Sequence, residues 1–135
     1  MGRRFPVVAA AGVLALLAGP ASATTTTTRP RPPNVSVPSV SPSTIDNRSG
    51  CGHSTSATIS TGTTGDTDRV TFRVQVGGRT TYLSASGSGS RWSATISGSA
   101  FGYDSGSGSV RATATGPGGS TESGAGHFTI ADCPT

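Results

Sequence analysis

Two cysteines, Cys51 and Cys133, stand near the two ends of the stretch that carries β-type patterning, behind an N-terminal segment that reads as an export signal. In an exported chain with two cysteines, Cys51 to Cys133 is the one intramolecular pairing available. It would close a loop of about eighty residues, worth about 4 to 5 kcal/mol in the chain-entropy account of disulfides. Two free thiols or a bridge to another chain are the alternatives. The clasp matters because the core is thin: downstream of the signal, Leu83 is the only leucine. Burying a large apolar side chain gives about 1.5 to 3 kcal/mol, against about 1 to 2 kcal/mol per residue for ordering the backbone. A covalent staple is therefore expected.

The export reading rests on three adjoining features. Arg3 and Arg4 form a positive start, Val7 to Ala18 an apolar run, and Ala21-Ser22-Ala23 a small-residue cleavage signature, the order found in secretory signal peptides. Gly19-Pro20 ends the run short of the roughly 20 residues a membrane span needs. Residues 1–23 are expected to be removed, leaving a secreted, extracellular chain from Thr24 with no membrane insertion. Residues 24–33, TTTTTRPRPP, are rich in Thr and Pro and read as a disordered linker, with an O-glycosylated stalk as the alternative. Asn34 and Asn47 match the N-glycosylation pattern; in a bacterial chain both would be chance matches.

The formal charge of +4 suggests a polyanion partner until the charges are placed. Four arginines, Arg3, Arg4, Arg29 and Arg31, fall in the signal and linker. The rest of the chain balances Arg48, Arg69, Arg73, Arg79, Arg91 and Arg111 against Asp46, Asp66, Asp68, Asp104, Glu122 and Asp132. Near neutrality argues against nucleic-acid binding, which needs clustered positive charge.

From Val35 onward the dominant period is two. Val70, Phe72, Val74 and Val76 share one face of a strand while Thr71, Arg73 and Gln75 share the other, as in an antiparallel sheet with one wet face. Shorter patterns fall at Ala57-Ile59-Thr61, Trp92-Ala94-Ile96, Val110-Ala112-Ala114 and Phe128-Ile130, and Gly77-Gly78 predicts a hairpin into Thr80–Ala85. Val35 to Val40, broken by Pro38, fits an edge strand. No helical period is sustained. About seven short strands in one domain, residues 34–135, predict an all-β antiparallel sandwich with one disulfide.

The segments SPSTIDNRSGCG, RVTFRVQV, GSRWSATIS, SVRATATGPGGS and FTIADC, in this order, resemble the bacterial immunoglobulin-like modules common in actinobacterial exported proteins. The Ala, Gly, Ser and Thr bias fits the same source. The resemblance implies an immunoglobulin-like sandwich used as a spacer, adhesion unit or binding platform, without catalytic apparatus; no cofactor is expected.

Candidate chemistry is sparse. His53 and His127 could join a serine and a carboxylate in a hydrolytic triad, but no nucleophile elbow accompanies them, and both read as solvent-facing or as caps of the strand ends. No metal site is expected, although Asp66 and Asp68 could either ligate calcium or cap a turn, the turn being the simpler role. Trp92, in phase with Ala94 and Ile96, reads as core. Phe101 and Tyr103, in a Gly/Ser-rich segment, are the candidate binding loop, with packing over the core end as the alternative. The sequence thus predicts a non-catalytic monomer that meets an extracellular protein or glycan. A secreted ligand carrier or inhibitor, or a stand-alone carbohydrate-binding module, is the alternative.

Overall fold

The computed structural model describes residues 30–134. The expected signal and residues 24–29 of the linker lie outside the described residues. The linker's end is not a free tether: Arg31 backbone lies against Gly118, and Pro33 is buried. The packed unit therefore begins at Arg31 rather than at Asn34.

Two sheets face each other. The first sheet holds β1 (Asn34–Val35), β2 (Ser39–Ser41), β4 (Ser56–Thr64), β7 (Ser86–Ser88) and β8 (Arg91–Ser97). Its order is β1-β4-β8-β7, with β2 also on β4. The second sheet holds β3 (Thr44–Asp46), β5 (Arg69–Val76), β6 (Arg79–Ser84), β9 (Gly106–Gly116), β10 (Gly119–Glu122) and β11 (Gly126–Ala131). It runs β3-β11-β9-β5-β6, and β10 pairs with the far end of β9. Every pairing is antiparallel except β3 with β11. No helix among the described residues is long and apolar enough to cross a membrane.

The excess over seven strands has two sources. The expected lead-in strand, Val35 to Val40, is two pieces, β1 and β2, both paired with β4, and past it the chain crosses at Pro42-Ser43 into an unexpected β3 that joins β11 in the other sheet. The additional β7 and β10 are short, and their Gly- and Ser-rich sequences carry no apolar alternation to announce them. The hairpin at Gly77-Gly78 forms as expected, with Val76 opposite Arg79 and Gly77 at φ 58°.

The core lies between the sheets, and alternation puts it there. β5 sends Val70, Phe72, Val74 and Val76 inward, and β9 sends Val110, Ala112 and Ala114. Large rings sit beside small partners: Phe72 pairs with Ala112, and Phe128 with Gly108. A Cβ on Gly108 would collide with the Phe128 ring, which explains a glycine in a strand interior.

Trp92 is core, as its phase predicts, but it lies at the end of the sandwich away from the disulfide. Its indole N–H donates to Thr63 Oγ1 at 3.1 Å and Gly89 O at 3.3 Å, supplying the partner a buried Trp needs. As the only tryptophan, it should give a blue-shifted native emission that moves red on unfolding. A native maximum equal to that of unfolded protein would contradict this placement.

The disulfide joins Cys51, in the β3–β4 loop, to Cys133, just beyond β11, with Cα atoms 5.8 Å apart. Because β3 and β11 are parallel neighbours, both leave the sheet at the same end. The bridge ties these two exits together, extending a pairing continued by Asn47 N–H to Ala131 O at 3.0 Å.

Candidate functional site

Three of the segments gathered at the disulfide end are the β3–β4 loop, the β8–β9 loop and the tail after β11. Between them lies a groove of about 480 Å³ lined by Asn47, Arg48, Ser49, Thr55, Ser97, Ser99 and Tyr103. Its floor is set by Asn47, which is 2% exposed. The Asn47 Nδ2 donates to Tyr103 O at 2.7 Å and Asp132 Oδ1 at 3.1 Å, while its Oδ1 accepts the Cys133 N–H at 2.8 Å. One buried amide thus joins all three segments. Its burial and its bonds make it a poor glycan acceptor in the folded chain, whatever its sequence pattern.

Asn47→Ala would strand the buried Cys133 N–H and release the Tyr103 carbonyl. An unsatisfied buried group costs about 1 to 3 kcal/mol, so the variant should lose about 3 kcal/mol in denaturant unfolding. A loss below about 0.5 kcal/mol, the level of an ordinary surface substitution, would contradict the clamp.

Phe101 and Tyr103 part company here. Phe101 is fully buried in the core cluster, so its ring offers no surface and the two-aromatic platform is corrected to one. Tyr103 is 49% exposed. The segment is also better anchored than its glycines suggest. Successive turn bonds run from Ala100 N–H to Ser97 O, Gly102 N–H to Ser99 O and Asp104 N–H to Phe101 O, and Arg79 Nε donates to Asp104 Oδ2 at 3.0 Å. Tyr103 sits at φ 66°, the one non-glycine residue at positive φ among those described. Such backbone costs about 1 to 2 kcal/mol for an L-residue. Its ring is covered on one side by Arg48, whose Cζ lies 4.1 Å from the ring centroid, within cation–π range.

Arg48 is the site residue that sequence reasoning missed. It lies in a polar stretch beside Cys51, with nothing local to signal a tyrosine partner more than fifty residues away. Among the described residues it pairs with no carboxylate and donates no hydrogen bond. The neighbouring carboxylates are engaged elsewhere: Asp132 with Asn47, Asp104 with Arg79, and Asp46 with His53.

The other sequence candidates serve the frame. Asp46 is buried, and its carboxylate accepts the His53 backbone N–H at 3.0 Å and faces His53 Nδ1 at 2.9 Å. The pair closes the loop that carries Cys51. No serine hydroxyl bonds His53 among the described residues, and His127 is exposed on β11. Asp66 and Asp68 are exposed in the β4–β5 turn, which is held by backbone: Asp68 N–H donates to Thr115 O at 2.7 Å, and Asp66 O packs on Gly116. Neither aspartate side chain caps the turn by a hydrogen bond among the described residues, so the capping role is corrected to a backbone one. No cluster of three or more His, Cys, Asp or Glu suited to a metal occurs among them.

A second surface becomes visible only through register. Tyr82, Arg73 and Arg111 lie directly opposite one another across β6, β5 and β9 on the outer face of the second sheet. Tyr82 is 67% exposed, and Arg73 pairs with Glu122 at 3.4 Å. The sequence gives no hint of this row, because its members come from three strands. A groove equal in volume to the first, at the opposite end, is lined by Asn34, Val35, Ser36, Gly62, Thr63, Thr64 and Ser90 and has no charged wall.

The sequence matches no described protein family and no curated protein. A solved crystal structure of an engineered protein is similar over 84% of this chain, at 21% identity and a TM-score of 0.48. The likeness spans 22% of that protein's length.

Proposed function

We propose that the chain is an exported, non-catalytic module of the immunoglobulin type, which binds an extracellular partner through the groove at its disulfide end. The strand order supports the type. One sheet runs β1-β4-β8-β7, in the manner of strands A, B, E and D of an immunoglobulin sandwich, and the other runs β11-β9-β5, in the manner of G, F and C, with β6 as a further edge strand. The covalent link departs from the antibody arrangement, since it clasps the end of one sheet instead of crossing the core.

The observation that carries the binding reading is the Tyr103–Arg48 pair. A half-exposed aromatic on strained backbone, held by the buried Asn47 and covered by a cation that has no carboxylate partner among the described residues, is a costly arrangement for the end of a sandwich. Strain of this kind concentrates at functional sites, and Tyr and Arg are the side chains that most often dominate binding energy.

Tyr103→Gly tests the reading cleanly. Glycine relieves the positive φ, although it loses more backbone entropy on folding, so stability should stay within about 1 kcal/mol of wild type. Secreted wild-type protein, with its N-terminus at Thr24, should be retained on envelope material of its source cells. The variant should be released. Equal retention of both would remove the groove from the account.

A further inference from the structure

Resting on the groove reading, we propose that the ligand is an acidic polysaccharide, with a uronate-type carboxylate seated on Arg48 and its sugar ring against Tyr103. Three observations point the same way. The first is charge. Among the described residues Arg48 is the one charged side chain lining the groove, and the carboxylates around it already face His53, Asn47 or Arg79. A guanidinium carries five N–H donors and no acceptor, and its planar fork matches a carboxylate. Its place over the Tyr103 ring, Cζ 4.1 Å from the centroid, reduces the side-chain freedom left to lose on binding.

The second observation is the wall chemistry. Ser49, Thr55, Ser97 and Ser99 supply hydroxyls, which both donate and accept, Ser97 Oγ and Ser99 Oγ being also bonded to each other at 2.9 Å. A polyol chain can use them in either sense. An acidic peptide would use Arg48 equally well, but its side chains need apolar recesses, and among the described residues Tyr103 is the one large apolar group in the lining. The third observation is scale. A volume of about 480 Å³ lies within the usual range of small-ligand sites, roughly 300 to 1,000 Å³. A few sugar units would fit along the groove.

The test uses polygalacturonate, its fully methyl-esterified form and polyglutamate as probes, titrated into secreted wild type, Arg48→Gln and Tyr103→Gly. Wild type should bind polygalacturonate and lose at least about tenfold in affinity on the ester, as expected when a charge-assisted pair is removed. Arg48→Gln should erase the preference for acid over ester, and Tyr103→Gly should weaken both polymers. Equal binding of acid and ester, unaltered binding by Arg48→Gln, or polyglutamate as tight as polygalacturonate would each overturn the proposal. Failure of every probe, with envelope retention still dependent on Tyr103, would overturn the uronate assignment and leave the groove standing. Retention independent of Tyr103 would sink both.

Discussion

Replacing Cys51 and Cys133 together with alanine should lower stability by about 4.5 kcal/mol, the chain-entropy value for a bridge between residues 82 apart. A small domain's whole stability is about 5 to 15 kcal/mol, so the double variant should be close to unfolding at ordinary temperature. The consequence reaches the groove. Cys133 N–H bonds the same Asn47 whose amide holds the Tyr103 carbonyl, so a loosened tail also loosens the binding loop. Denaturant unfolding of the oxidised wild type and the double variant gives the difference directly. A loss under about 1 kcal/mol, far below the usual range for a native disulfide, would show that the clasp contributes little.

Phe101→Ala should cost about 3 to 5 kcal/mol, as expected for emptying a buried aromatic site. The ring is 0% exposed and plugs the core beneath the β8–β9 loop. Tyr103, two residues on, is the contrast: its removal should spare the fold and weaken binding. The two substitutions therefore separate roles that alternation along one loop places side by side. A Phe101→Ala protein as stable as wild type would mean the ring does not plug the core.

Period-two alternation made the long strands legible. Val70 to Val76 and Val110 to Ala114 read as strands because one face of each is buried and the other wet, and both form. The crossing of the first strand between sheets was not legible, because Ser39–Ser41 and Thr44–Asp46 are too short to show a period. The same holds for Ser86–Ser88 and Gly119–Glu122. Cys51 and Cys133 were legible since only one internal pairing exists. Tyr103 stood out as an aromatic in a Gly/Ser-rich loop, but Phe101 beside it carried the same signal with the opposite burial. Arg48 and the Tyr82–Arg73–Arg111 row depend on tertiary register, and no local pattern encodes such a juxtaposition.

An amide-shift map tests the binding claim most directly. Isotopically labelled secreted protein would be titrated with soluble polysaccharide released from its source cell envelope. The account predicts shifts concentrated at Asn47–Ser49, Thr55, Ser97–Ser99 and Gly102–Asp104, with the outer face of the second sheet undisturbed. Shifts centred on Tyr82, Arg73 and Arg111, or none at saturating polymer, would contradict it.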